Sequence, residues 1–306
     1  MKVIDNIDKM KTYAKIMKKE NKLLGFVPTM GSLHEGHVSI MKVARKQADI
    51  VVLSIFVNPI QFGPDEDFKK YPRDIQRDEE IAKSCGVDVL FYPDTKSMYP
   101  NGFSTYVNVE NMTERLCGRS RPGHFRGVTT VVAKLFEIIR PDIAYFGQKD
   151  FQQALVIKKM AEDLNMDVVI KIMPTVRTED GLAVSSRNAY LSKSERKDSL
   201  VLSKSLLAAR RAVDSGERNT RKIVKIMREV ISGAPSAKID YVSIVDVKSL
   251  KETPRIRGEA LAVAAVFIGK TRLIDNLPLD TKKPEKINAP RPKQAPRAIE
   301  QEQGHV

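Results

Sequence analysis

Apolar residues recur at helical spacing from the start of the chain, at Ile4, Ile7, Met10 and Ala14, and predict an opening helix over residues 1–20. The run Leu23–Val27 predicts a short buried strand that breaks at Pro28 into a loop holding Gly31 and Gly36. Helical spacing resumes at Val38, Met41, Ala44 and Ala48. After Asp49, the continuous β-branched run Ile50–Val57 has the character of a central parallel strand covered on both faces. A polar loop from Asn58 to Pro72 follows, then a helix from Arg73 to Ser84 with Gly86 as its C′ residue, and a strand over Val87–Tyr92. Prolines and glycines punctuate Pro93–Arg126, which reads as irregular. Beyond it come a helix over Val128–Ile139, a strand over Ile143–Phe146, a second strand-to-helix turn at Gly147–Asp150, a helix to about Leu164 and a strand over Val168–Met173.

This alternation predicts an α/β fold, a parallel sheet with helices on both faces. Ligands of such sheets sit beyond the carboxyl ends of the strands, which brings the Met30–His37, Asn58–Gln61 and Gly147–Asp150 loops to one edge. After Pro174 the pattern changes. A polar loop, TVRTEDGLAVSSRNAYLS, leads to helices over Ser194–Ser215 and Thr220–Ile231 and to extended runs at Ile239–Val247 and Ala260–Ile268. Residues 1–175 are therefore expected to form one domain and residues 176–281 a smaller α+β domain. Residues 282–306, rich in Pro, Lys and Gln, are expected to be a disordered tail.

Composition narrows the class. No apolar run reaches the length of a membrane span, and the N-terminus lacks the apolar core of a secretory signal. Two cysteines make no disulfide framework, in keeping with a reducing cytoplasm. The net charge of +14 raises nucleic-acid binding, but the basic residues are scattered among acids and no tryptophan is present. A lysine-rich surface, with attraction for anionic small substrates, explains the charge better than a nucleic-acid interface.

The chemistry concentrates in FVPTMGSLHEGH, residues 26–37. Strand, glycine-bearing turn and helix start place His34 and His37 at a helix N-terminus, where free backbone N–H groups and the dipole favour phosphate. Two imidazoles there can add hydrogen-bond donors or positive charge. A histidine pair three apart could equally be structural or bind metal.

Four stretches, VPTMGSLHEGH, SIFVNPIQF, YFGQKDFQQ and DGLAVSSRN, occur in the order and at the separations seen in pantothenate synthetases (pantoate–β-alanine ligases), which the chain resembles over roughly residues 1–280. The resemblance implies a Rossmann-like sheet domain with a smaller C-terminal domain, usually in a cytoplasmic homodimer without nucleic-acid or membrane partners. It implies an ATP-dependent condensation of pantoate with β-alanine through a pantoyl adenylate, releasing AMP and pyrophosphate. His34 and His37 would contact the phosphates, with His37 as proton donor, and Lys149 and Arg187 would supply charge. Met30, Gly31, Ser32, Leu33, His34, Glu35, Gly36 and His37 would form one wall of the ATP site; at Gly31 a side chain would block approach of the backbone to the nucleotide. Gly147, Gln148, Lys149 and Asp150 would form a second wall, and Val176, Val184, Ser185, Ser186 and Arg187 a third. Gln61 and Gln153 would hold pantoate, with Asn58 and Tyr71 as neighbours. No protein metal site is expected; Mg²⁺ would ride on the ATP phosphates.

Plainer readings stand beside these. Gln61, Gln153 and Lys149 could be solvated surface residues, and Ser185-Ser186 a helix-approach turn with a capping role. His124 reads as structural, and the acids Asp65, Glu66 and Asp67 as a solvated run. Two other functions compete: an adenylyltransferase acting on a phosphate-bearing acceptor, which calls for more arginines, and a non-catalytic nucleic-acid binder.

Overall fold

A computed structural model describes residues 1–64 and 66–280. The first twenty residues are not one helix. Lys2–Ile4 form an edge strand, β1, and α1 spans Ile7–Lys19. Asn6 separates them: its backbone is extended and its side chain accepts from the Lys9 N–H as an N-cap. Ile4 therefore buries from a strand, and Met10 and Ala14 from the helix.

The chain continues through β2 (Leu24–Thr29), α2 (Glu35–Gln47), β3 (Ile50–Ile55), α3 (Ile75–Ser84) and β4 (Val89–Phe91). Two short helices, α4 (Thr95–Met98) and α5 (Cys117–Ser120), interrupt the irregular stretch. Then come α6 (His124–Ile139), β5 (Ile143–Gly147), α7 (Phe151–Asp163) and β6 (Val169–Met173). Strand β2 runs through Pro28 instead of ending there. Leu24 bonds to Asp142 through both its N–H and its carbonyl, so even-numbered residues of β2 direct their peptide groups toward β5. That ladder ends at Phe26, and the missing N–H of Pro28 leaves no acceptor stranded.

The six strands form one parallel sheet in the order β1-β4-β3-β2-β5-β6. Phe26, Val52, Val89 and Ala144 pack beneath α1, α6 and α7, while Val27, Leu53, Leu90 and Tyr145 pack against α2 and α3. Strands β2 and β5 pair only at Gly25–Ile143 and Phe26–Ala144, then diverge toward Thr29 and Gly147. The divergence opens a crevice at their carboxyl ends, where the strand order reverses.

The rest comprises α8 (Lys193–Asp198), α9 (Val201–Asp214), α10 (Thr220–Ser232) and the antiparallel strands β7 (Ala237–Asp246), β8 (Glu259–Ile268) and β9 (Thr271–Asp280). The helix expected over Ser194–Ser215 is two helices, broken at Ser199–Leu200. Strand β8 alternates between two buried faces. Ala260, Ala262, Ala264, Val266 and Ile268 face α9 and α10, whereas Leu261 and Val263 face Phe151 and Leu155 of α7. The edge strand β9 is absent from the sequence expectation; Pro278 and its polar residues mask it. The expected tail at 282–306 lies outside the described residues, as does Asp65.

Candidate active site

The histidine loop is shaped by a residue far along the chain. Asp78 of α3, 1% exposed, accepts the backbone N–H groups of Ser32 and Leu33, each at 2.7 Å. Gly31 turns with φ +83°, and a Cβ there would lie 2.9 Å from Asp78 Oδ2 and 3.0 Å from Ile55 Cγ2. Its positive φ and the closeness of Asp78 and Ile55 together require glycine at 31. Beyond this clamp, His34 is the N-cap of α2. The Gly36 N–H donates to His34 Nδ1 (3.2 Å), and the His34 N–H donates to His37 Nδ1 (3.3 Å). Gly36 makes room for the folded-back ring, since a Cβ would sit 2.9 Å from His34 Cε1. The two rings stack with centroids 4.1 Å apart.

Because each Nδ1 accepts a hydrogen bond, each imidazole is neutral and carries its proton on Nε2. Electrostatics agrees. Burial, with Lys149 next, lowers His34 to about 4; burial, with His34 next, lowers His37 to about 3. The pair therefore offers two neutral N–H donors at the helix N-terminus, not two positive charges.

A second wall centres on Gln61, 8% exposed in the short Pro59–Gln61 turn. Its Oε1 accepts from Asn58 Nδ2 (3.0 Å) and its Nε2 lies 3.0 Å from Met30 Sδ. Asn58 has no polar atom to spare: Nδ2 also donates to the Gly127 carbonyl, and Oδ1 accepts from Tyr99. His124 Nδ1–H donates to the Gln61 carbonyl (2.8 Å), while Nε2 accepts from Arg121. Burial, with Arg121 next, lowers His124 to about 4. His124 thus braces Gln61 from behind, the structural role expected of it. The acids beside this turn are not a solvated run: Glu66 pairs with Arg121, and Asp67 makes a two-bond pair with Arg187 at 2.8 and 3.0 Å.

The third wall joins the Gln148–Asp150 turn to the segment after β6. Lys149 Nζ lies 3.5 Å from Asp150. Burial pushes the Asp150 carboxyl up, but the Lys149 and Arg187 charges outweigh it and hold the group below the usual range. Two adjacent glutamines at the head of α7 have opposite fates. Gln152 is spent on Cys117 N–H and the Met112 and Arg115 carbonyls. Gln153, facing the cleft, makes no side-chain hydrogen bond to another described residue. Ser185 caps the following turn by accepting from Arg187 N–H, and Ser186 meets the Tyr71 hydroxyl at 3.3 Å. The Val176 carbonyl accepts from Val184 N–H.

Met30, His34, Gly36, His37, Asn58, Gln61, Tyr71, Gly147, Lys149, Asp150, Gln153, Val176, Val184, Ser185, Ser186 and Arg187 line a single cleft of about 1290 Å³, its open mouth included. Five expected residues do not line it. Gly31 is buried against Asp78, and Ser32 and Leu33 have given their N–H groups to that carboxylate, with the Leu33 side chain in the core. Glu35 is exposed on the first turn of α2, and Gln148 turns toward Asn276 of β9. Among the described residues no cluster of three or more His, Cys, Asp or Glu could hold a metal ion. Asp78, Arg121, Asp67 and Asn276 support the site without having been expected there. For Asp78 a signal existed: helical spacing sets it with Ile75 and Ala82 on the inner face of α3.

The three neutral histidines make stability depend on acid. Their folded values lie below the ordinary 6.5, so the unfolded chain takes up protons that the folded chain does not. Their contribution is fully present above pH 6.5 and is lost as pH falls through about 4 for His34 and His124 and about 3 for His37. We expect the thermal midpoint to decline through that window, and ring NMR to show His34, His37 and His124 still neutral at pH 6. Titration of these rings near 6.5 would contradict the assignment.

Comparison with known proteins accords with this geometry. A model of the pantoate-beta-alanine ligase family matches residues 2–278. The pantothenate synthetase of Heliobacterium modesticaldum is 55% identical over 277 residues, covering 90% of this chain and 99% of that protein. That of Acetivibrio thermocellus is 54% identical with the same coverage. Among solved structures, the pantothenate synthetase of Thermus thermophilus matches with a TM-score of 0.85 at 42% identity, over 90% of this chain and 99% of that one. A Francisella tularensis pantoate-beta-alanine ligase, described as complexed with beta-gamma ATP and beta-alanine, matches with a TM-score of 0.74 at 33% identity, over 92% and 98%. The chain belongs to the pantoate–β-alanine ligase family and is, by that membership, a ligase that forms an amide bond.

Proposed function

We propose that the chain condenses pantoate with β-alanine using ATP, through a pantoyl adenylate. The observation that carries this reading is the pair of neutral, stacked imidazoles at the start of α2, sharing a cleft with Lys149 and with the free amide of Gln153. In the first half-reaction a pantoate carboxylate oxygen attacks the α-phosphorus, and the bond to the β-phosphate oxygen breaks. Negative charge grows on the departing pyrophosphate. The His34 and His37 Nε2–H groups and Lys149 stabilise it by donating hydrogen bonds and supplying charge, with no reorganisation needed at the moment of transfer. In the second half-reaction the neutral amine nitrogen of β-alanine attacks the acyl carbon, the bond to the AMP oxygen breaks, and the proton lost from nitrogen passes to solvent. Adenylation is needed because the free carboxylate would have to expel oxide, whereas AMP leaves readily.

Gln61 and Gln153 hold pantoate, since an amide can donate to its carboxylate and accept from its hydroxyls. Asn58 acts one step back, by orienting Gln61. Met30, Gly147, Val176 and Val184 border the nucleotide, and Tyr71 with Ser186 closes the corner between two walls. Arg187 meets phosphate by loosening its pair with Asp67. Mg²⁺ arrives as part of the substrate, on the triphosphate. The cleft has two cations among its lining residues, Lys149 and an Arg187 already paired, which suits a small hydroxy acid better than a phosphorylated acceptor. Separate cores beneath the two sheets support a division near Thr175, with the smaller unit closing one side of the cleft. A homodimer in the cytoplasm goes with this reading; no helix among the described residues is long and apolar enough to cross a membrane.

The test is to supply ATP, Mg²⁺, pantoate and β-alanine and to follow AMP, pyrophosphate and amide. The three products are expected in equal amounts, and omission of β-alanine should leave a single-turnover burst of pyrophosphate. AMP release that does not depend on pantoate would refute the reading.

A further inference from the structure

Lys149 sits on a turn that its own segment does little to hold. The Gln148–Asp150 turn joins β5 directly to α7, and neither Gly147 nor Asp150, at the two cap positions, makes a side-chain cap hydrogen bond. Two carbonyls of this turn are held from the other sheet. Asn276 of β9, 3% exposed, donates from Nδ2 to the carbonyls of both Gln148 and Lys149, each at 2.9 Å. Its Oδ1 accepts from Gln148 Nε2 at 3.4 Å. The whole polar capacity of this side chain is directed at two consecutive residues. Its neighbour Asp275, also 3% exposed, takes Arg177 in a two-bond pair at 2.6 and 2.9 Å. Arg177 follows Val176 and is bridged to Ala183, which precedes the Val184–Arg187 turn. One dipeptide of β9 thus fastens both parts of the third wall to the small sheet.

We propose that Asn276 is a positioning residue for adenylation: by holding the Gln148 and Lys149 carbonyls it sets where the Lys149 ammonium meets the nucleotide phosphates. This rests on the phosphate role given to Lys149 above. The side-chain chemistry is specific. Two carbonyl oxygens converging on one buried point need two donors from a single group, which a primary amide supplies. Aspartate would set acceptor against acceptor, and an apolar residue would leave both carbonyls unpaired. Lys149 also lies near enough to both histidines to disfavour their protonation, so a shift of its turn reaches the whole phosphate-facing cluster.

The test compares the full chain with Asn276→Ala, Asn276→Asp, Lys149→Ala and the Asn276→Ala/Lys149→Ala double variant, measuring ATP affinity by calorimetry and adenylation kcat and KM. Asn276→Ala should lower kcat by about 10- to 100-fold, the scale set by ångström misplacement of a reacting group. KM for pantoate should stay within about twofold, since Gln61 and Gln153 are untouched. With Lys149 already removed, Asn276→Ala should add less than about twofold, because its effect runs through that side chain. Asn276→Asp keeps the shape, and so serves where the alanine variant does not fold. Its activity relative to wild type should be lowest at pH 8 and recover toward pH 6, as the carboxyl between two carbonyls takes up a proton and donates again. An alanine effect of equal size with and without Lys149, or an aspartate profile parallel to wild type, overturns the positioning role. Wild type that releases no pyrophosphate from ATP and pantoate overturns the ligase reading instead; the role of Asn276 is then decided by ATP affinity, which Asn276→Ala should weaken when Lys149 is present and change less than about twofold in Lys149→Ala.

Discussion

His37→Asn is expected to slow pantoate-dependent pyrophosphate release by about 10²- to 10³-fold with the fold intact, the usual cost of removing one preorganised donor from a site of developing charge. Asparagine is chosen because its Oδ1 can stand in for Nδ1 and keep accepting the His34 N–H. What it lacks is the second nitrogen, the Nε2–H donor that reaches into the cleft. His37→Ala removes both functions and should therefore melt lower than His37→Asn, by the difference a lost cap makes, about 1 kcal/mol. The kinetic loss should fall mainly on kcat rather than on KM for ATP, since the charge to be met is larger in the transition state than in bound ATP. Near-normal kcat in a well-folded His37→Asn enzyme would remove His37 from the chemistry and leave it as a cap.

The two histidines were legible because everything that places them is local: a strand, a glycine turn and the first turn of a helix. What holds that turn was not. The clamp comes from Asp78, 46 residues downstream of Ser32, so no residue near Gly31 in sequence points to the carboxylate beside it. The acids after Gly63 read as solvated for the same reason, because their partners Arg121 and Arg187 stand 55 and 120 residues away. Strand β9 escaped notice because its site-facing residues are the ones that spoil a strand pattern: Asp275 and Asn276 carry low β-propensity and Pro278 follows. The parallel sheet survived such errors, since its strands are continuous apolar runs whose burial on both faces needs no distant partner to be recognised. Long-range polar contacts leave no periodic trace, and they build most of the second layer of this site.

Gly127→Ala is expected to be as damaging as loss of a site residue, although residue 127 is not among those lining the cleft. A Cβ there would lie 2.4 Å from the Ile60 carbonyl oxygen, 2.6 Å from Gln61 Cα and 2.7 Å from Gln61 N. All three are backbone atoms, so no side chain can rotate away. Helix α6 cannot yield, because most of its length is locked into the main core. The Pro59–Gln61 turn must move instead, straining its bonds to His124 and Arg121 and the link from Asn58 to the Gly127 carbonyl. Overpacking of this kind costs about 1–3 kcal/mol of stability. A displacement of Gln61 by about 1 Å is enough to cost on the order of 10²-fold in turnover. The loss should appear in kcat/KM for pantoate, with ATP affinity by calorimetry changed far less, because the histidine loop and the Lys149 turn are untouched. Gly63→Ala is the control. Its added Cβ would meet Glu66 at an ordinary 3.6 Å, and activity should be unchanged. If Gly127→Ala and Gly63→Ala were equally active, the backbone of the Gln61 turn would not be what presents pantoate to the nucleotide.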